Sequence, residues 1–91
     1  DNGAMAMVQA LKAANRLEGT YVYGVDGNAE ALESIKIGEL TGTVVQQSGL
    51  MAYNSCIDIF NVLAGKEIGH DFTSYLDVIL VTEDNIGDYL K

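Results

Sequence analysis

An α/β fold of alternating helices and parallel strands is what this 91-residue sequence predicts, on three observations. Short β-branched and aromatic runs alternate with longer stretches whose apolar residues recur at helical spacing. The stretches between runs reach about ten residues or more, enough for a helix to carry the chain back across a sheet. Gly, Asn and Asp fall at the seams, where turns and helix ends require them.

Residues 3–16 place Ala4, Met7, Val8 and Leu11 on one stripe, and Ala13 and Ala14 favour helix. Asp1 or Asn2 is placed to cap the first amides, and Asn15 suits a left-handed stop. Residues 20–25, Thr-Tyr-Val-Tyr-Gly-Val, read as a strand. Asp26-Gly27-Asn28 then turns the chain, with Asn28 capping a second helix that buries Ala31, Leu32 and Ile35 and ends at Gly38. Residues 41–46 form a second strand. A third helix covers 49–64, with Ala52, Cys56, Ile59 and Leu63 as its stripe, flanked by Tyr53, Ile57 and Phe60; Ala64-Gly65-Lys66 closes it. After a loop over 67–73, residues 75–81 read as the last strand. Thr82 caps a short terminal helix containing Ile86, Tyr89 and Leu90.

The charge excludes some classes of partner. Thirteen acids oppose five bases, a formal net charge of -8, and no two of Lys12, Arg16, Lys36, Lys66 and Lys91 adjoin. No basic stripe can neutralise several phosphates, so neither nucleic acid nor an anionic membrane surface is expected as a partner. Cys56 is the single cysteine and His70 the single histidine, so no intrachain disulfide and no clustered Cys/His metal site is expected. Cys56 reads as a small core residue, and His70 as a solvated loop residue rather than a general base. The sequence contains no GxGxxG turn, no GxxxxGK loop and no GxSxG elbow, so no cofactor is expected. No apolar run is long enough to span a membrane. The chain opens directly on a helix cap without an initiating Met, so residues upstream of Asp1 are expected, and the lack of a signal segment leaves the compartment open.

In an open parallel sheet, ligands bind beyond the carboxyl ends of the strands. Asp26 and Gln46 fall there, and Asp1 or Asn2 joins them if an earlier strand feeds the first helix. A carboxylate that accepts from two vicinal hydroxyls, beside an amide that donates and accepts, suits a polyhydroxylated ligand. The plainer alternatives are a turn-forming Asp26 and a solvent-facing Gln46. Catalysis fits poorly, because no acid–base pair and no activated nucleophile can be identified.

The same residues carry a resemblance. The run Ala4-Met5-Ala6-Met7 through Gln9-Ala10-Leu11-Lys12-Ala13-Ala14, then Tyr23-Gly24-Val25-Asp26-Gly27, resembles type I periplasmic sugar-binding proteins of the ribose and galactose group. So do Glu30-Ala31-Leu32, Ile35-Lys36-Ile37-Gly38-Glu39-Leu40, Gly42-Thr43-Val44-Val45-Gln46 and Leu63-Ala64-Gly65-Lys66. Each motif is weak alone, and their ordered combination is fairly specific.

The resemblance implies a fragment of a two-lobed, Rossmann-like fold of about twice the usual single-domain size. Residues 1–46 would come from one lobe, 47–73 would resemble the other, and 74–91 would supply the final strand and short helix. It implies a non-catalytic binder of a monosaccharide or similar small solute, periplasmic or extracytoplasmic and in some cases lipid-anchored, read by the membrane subunits of an ABC importer. Asp26 then matches the carboxylate that grips sugar hydroxyls, and Gln46 the hinge amide that bonds the sugar. Asp1 matches the Asp of an Asn-Asp pair whose Asn would precede this chain; Asn2 matches that Asn only with a gap. The alternative is the effector core of a LacI-type transcription regulator, which shares the fold. The closing stretch Ile79-Leu80-Val81-Thr82-Glu83-Asp84-Asn85 favours the binding proteins. Uncovered strand edges and helix faces lead to the expectation that the isolated chain self-associates.

Overall fold

A computed structural model describes residues 1–69 and 73–90. The expectation for His70 lies outside the described residues. Three α-helices, three strands and one 3₁₀ turn follow in the order α1 (Asn2–Ala13), β1 (Tyr23–Val25), α2 (Ala29–Lys36), β2 (Gly42–Val45), α3 (Ser48–Leu63), β3 (Ile79–Thr82) and η1 (Ile86–Asp88). The chain divides into two compact units, residues 1–46 with 78–91, and residues 47–77.

The first unit is built on a sheet of order β1-β2-β3. β1 and β2 are parallel, joined through α2, with Gly24 opposite Thr43 and Val25 opposite Val44. β3 departs from the expected parallel pattern and runs antiparallel to β2, with Val45 opposite Ile79 and Gly42 opposite Thr82. The chain leaves β2 at Val45 and rejoins the sheet beside that same residue, and a strand that enters where its neighbour exits must run the other way. The helical stretch between them is therefore not a crossover of this sheet.

Strand lengths follow from what lies opposite. β3 begins at Ile79 rather than Tyr75 because β2 offers its last ladder partner at Val45. β1 begins at Tyr23 rather than Thr20. Just before it, Val22 is tied to Thr41 through the Thr41 amide (2.9 Å) and by donating its own amide to Thr41 Oγ1 (2.9 Å).

One face of the sheet is covered. Gly24, Thr43 and Val81 form a buried cross-strand row, and Met5, Val8, Val22, Ala31, Ile35, Leu40 and Val81 make one core cluster. Val8, Ala31 and Val81 are fully excluded from solvent. The expected stripe of α1 is corrected at one position: Met5 is buried and Met7 is exposed. Met5 lies three residues before Val8, on its face, whereas Met7 is turned about 100° away from it. On the opposite face of the sheet Tyr23, Val25 and Leu80 are each about half exposed.

All three α-helices stop in the same way. Asn15, Gly38 and Gly65 take positive φ (55°, 81° and 73°), and the amide after each reaches back to Leu11, Ser34 and Asn61 respectively, at 2.8–2.9 Å. This is the Schellman arrangement, in which a left-handed residue lets two amides satisfy the orphan carbonyls of the last turn. The start of α2 is equally local: the Asn28 side chain accepts from the Ala31 amide at 2.9 Å. Thr82 caps no helix, because it is still in the ladder opposite Gly42. Asn85 makes the turn instead, accepting from the Thr82 amide (2.9 Å) and donating to the Leu80 carbonyl (3.0 Å).

The second unit consists of α3 and the chain that follows it. None of the helix's residues is buried, so the expected core placement of Cys56 and of the stripe from Ala52 to Leu63 is corrected. Cys56 is exposed, as are Tyr53, Ile57, Ile59, Phe60 and Leu63. The helical spacing is real, but a stripe is buried only where another apolar surface meets it. Inside this unit the Gln47 amide donates to the Asp77 carbonyl at 2.7 Å.

Candidate functional site

Asp26 follows the last residue of β1 and Gln46 the last residue of β2. Parallel pairing brings these two positions to one tip of the sheet, and Gln46 Nε2 donates to Asp26 Oδ1 at 2.9 Å. Both side chains are exposed. The tip therefore presents one carboxylate oxygen and one amide carbonyl that this bond leaves unused, a donor–acceptor surface of the kind hydroxyl groups fit.

Asp26 sits on unusual backbone. Its φ is +111°, and with Asn15 it is one of two non-glycine residues of positive φ among the described residues. Such a conformation costs roughly 1–3 kcal/mol and persists only where surrounding bonds over-determine it. Those bonds are present. The Asp26 amide donates to the Val44 carbonyl at 2.8 Å, continuing the β1–β2 ladder by one residue. The next amide, of Gly27, donates to Thr43 Oγ1 at 3.2 Å. Gly27 itself has φ +71°, and a Cβ there would lie 2.5 Å from a Val45 methyl, so both its conformation and its clearance call for glycine.

Asp1 does not cap α1, since its side chain makes no bond to the first helical amides. Its carboxylate turns toward the sheet instead. Oδ1 accepts from Thr43 Oγ1 at 2.6 Å, and Oδ2 accepts from the Asn28 amide at 2.7 Å. Its backbone nitrogen donates to the Val25 carbonyl at 2.8 Å. Gly24 makes room for this: a Cβ on residue 24 would stand 2.3 Å from Asp1 Oδ1. Asn2 is exposed and accepts from the Asn28 side-chain amide through a long bond of 3.4 Å.

Of the four positions singled out from the sequence, Asp26 and Gln46 are thus in direct contact. Asp1 is one layer in, with both oxygens engaged, and Asn2 lies beside Asn28. Sequence reasoning missed Thr43 and Gly24. The usable signal was alternation: a threonine that shares its strand face with Val45 points inward, where its hydroxyl needs a partner.

A cleft of about 620 Å³ lies at the other end of the sheet, where Thr20, Tyr21 and Thr41 precede the strands, Thr82 ends β3 and Asp84 follows it. It includes neither Asp26 nor Gln46. Among the described residues no group of three or more His, Cys, Asp or Glu side chains is arranged to hold a metal ion, and no helix is long and apolar enough to cross a membrane.

The sequence model of the family described as "Periplasmic binding protein domain" matches residues 1–67. The chain is 30% identical over 99 residues to the D-galactose/methyl-galactoside binding periplasmic protein MglB of Haemophilus influenzae, an alignment covering 100% of this chain and 29% of that protein. Among solved structures it is similar to an ABC transporter periplasmic solute binding protein from Actinobacillus succinogenes with bound D-allose. The TM-score is 0.88 at 24% identity, covering 98% of this chain and 30% of the other. It is also similar to an ABC transporter solute binding protein from Bacillus halodurans with bound myo-inositol, with a TM-score of 0.72 at 29% identity, covering 98% and 30%. The chain therefore spans about three-tenths of the length of these relatives.

Proposed function

The chain belongs to the periplasmic binding protein domain family, and from that membership we propose that it supplies one wall of a site binding a monosaccharide or similar polyol for an ABC-type importer, without catalysis. The observation that carries this is the Asp26–Gln46 pair, a carboxylate and an amide 2.9 Å apart, both open to solvent at the shared tip of two parallel strands. Asp26 accepts hydrogen bonds from vicinal hydroxyls, and Gln46 supplies both a donor and an acceptor. A pair of this kind binds polyols and lacks the second, separately tuned acid that glycoside chemistry needs.

The relatives support the choice of ligand class, since their own names and bound molecules are galactosides, an aldohexose and an inositol. They also favour an importer's binding protein over a LacI-type regulator core, and a periplasmic or extracytoplasmic site of action. We read residues 1–46 as part of one lobe, residues 47–73 as part of the other, and residues 74–91 as the final strand and short helix. The division of contacts at residues 46 and 78 supports this reading. We also read the exposed apolar side chains of α3 as a surface through which the isolated chain self-associates.

Calorimetry on the intact protein that carries this chain, with D-galactose, D-allose and myo-inositol as probes, tests the assignment. Asp26→Ala is expected to lose about 2–4 kcal/mol of affinity, because its bonds to hydroxyls are charge-assisted. Gln46→Ala is expected to lose about 1–2 kcal/mol. Full retention of affinity by Asp26→Ala would remove Asp26 from the site.

A further inference from the structure

We propose that Thr43 and Asp1 are positioning residues, which hold the Asp26 carboxylate in its binding orientation without touching the ligand. The inference rests on the reading of Asp26 as the ligand-gripping carboxylate and goes beyond it. The Asp26 side chain offered to solvent stands on strained backbone at φ +111°, while nothing in its own sequence holds it there. Aspartate after a strand relaxes to negative φ when free to do so. Something outside residue 26 must prevent it.

Four consecutive backbone groups around Asp26 are tied down from outside the turn. The Val25 carbonyl accepts from the Asp1 backbone nitrogen (2.8 Å) and the Asp26 amide donates to Val44 (2.8 Å). The Gly27 amide donates to Thr43 Oγ1 (3.2 Å), and the Asn28 amide to Asp1 Oδ2 (2.7 Å). Thr43 and Asp1 are themselves joined, Oγ1 donating to Oδ1 at 2.6 Å. The hydroxyl and the carboxylate thus form one bracket that grips the turn on the two residues after Asp26.

The Thr43 side chain is fully buried, so a sugar at the exposed tip has no path to it. Both Asp1 oxygens are already engaged, one with a hydroxyl and one with an amide. Thr43 is closed to a ligand, the Asp1 carboxylate serves the turn through both of its oxygens, and both residues bear on where the contact residue stands.

The experiment uses Thr43→Val, which keeps the shape and removes the hydroxyl, and Thr43→Ser, which restores it. In the intact protein, Kd for D-galactose, D-allose and myo-inositol is measured by calorimetry. The three-bond amide–α coupling of Asp26, which reports φ, is measured by NMR without ligand. Thr43→Val is expected to weaken binding about tenfold and Thr43→Ser about twofold at most, and Thr43→Val added to Asp26→Ala is expected to cost nothing further, the signature of action through that residue. Ile35→Val, a core change remote from the turn, is expected to lower thermal stability and leave Kd unchanged.

Thr43→Val that melts earlier but keeps wild-type Kd would show a structural role alone, and losses that simply add to those of Asp26→Ala would also overturn the proposal. If the wild type takes none of the probes, the sugar reading fails, and the positioning claim is judged separately. An Asp26 coupling that is unchanged in Thr43→Val rejects it, and a shift to the value of ordinary negative-φ backbone supports it. Should Thr43→Val not fold, Asp1→Asn, which keeps one acceptor oxygen but replaces the other with a donor, is read in the same three ways.

Discussion

At the scale of single residues, Asp26 combines two demands that conflict. Glycine would suit its backbone better, yet only a side chain can meet a ligand. Asp26→Gly is accordingly expected to be more stable than Asp26→Ala by about 1 kcal/mol, since both lose the carboxylate but only alanine keeps a Cβ at positive φ. Chemical denaturation of the two variants checks this, and equal midpoints would mean that the turn bears no strain. The conflict was half legible in the sequence. Asp followed by Gly announces a turn, and alignment at the ends of two parallel strands announces proximity to Gln46. That Asp26 and not only Gly27 takes positive φ was not legible, because it is imposed by Thr43 and Asp1, which lie 17 and 25 positions away along the chain. Local propensity carries no information about a bracket closed from such distances.

At the scale of elements, the helix stops were the most readable features because their chemistry is local, whereas of the expected starts Asp1 and Thr82 bond to the sheet instead. Asn15, Gly38 and Gly65 each mark a left-handed stop, and Asn28 marks a start. Asn28→Ala is expected to cost about 0.5–2 kcal/mol by removing the bond to the Ala31 amide. A urea titration followed by circular dichroism measures it, and a change below a few tenths would show that the cap bond contributes little in water. Strand limits were less readable. β3 was expected from Tyr75 on composition, but a strand extends only as far as its neighbour offers partners, and the partners end at Val45. Direction was misread for a related reason. A helix between two strands normally implies a crossover, and a sequence does not reveal that α3 leaves the unit altogether.

At the scale of the whole molecule, burial is uneven. The first unit holds the entire core cluster, whereas α3 contributes no buried residue. Periodicity identified the helix and its stripe correctly as a pattern, yet placed Cys56 and its neighbours in a core that the chain does not supply. With Tyr53, Ile57, Phe60 and Leu63 exposed, a polypeptide of these 91 residues alone is expected to sediment and scatter light as dimers or larger species at high concentration, with no measurable sugar binding. A monomer throughout the range would show that this surface is tolerated by water. Ile59→Glu and Phe60→Glu together are expected to return the species to monomer, without altering the first unit's melting.

Position 24 has an awkward consequence for anyone mapping this protein by truncation. A scan that trims side chains to alanine treats a glycine as already trimmed, and would pass over the residue whose bareness lets Asp1 lie against the sheet. The informative change there is an addition. One extra methyl at residue 24 displaces a carboxylate to which a hydroxyl and an amide are bonded, so the smallest possible enlargement of the chain would be felt at a surface it never reaches.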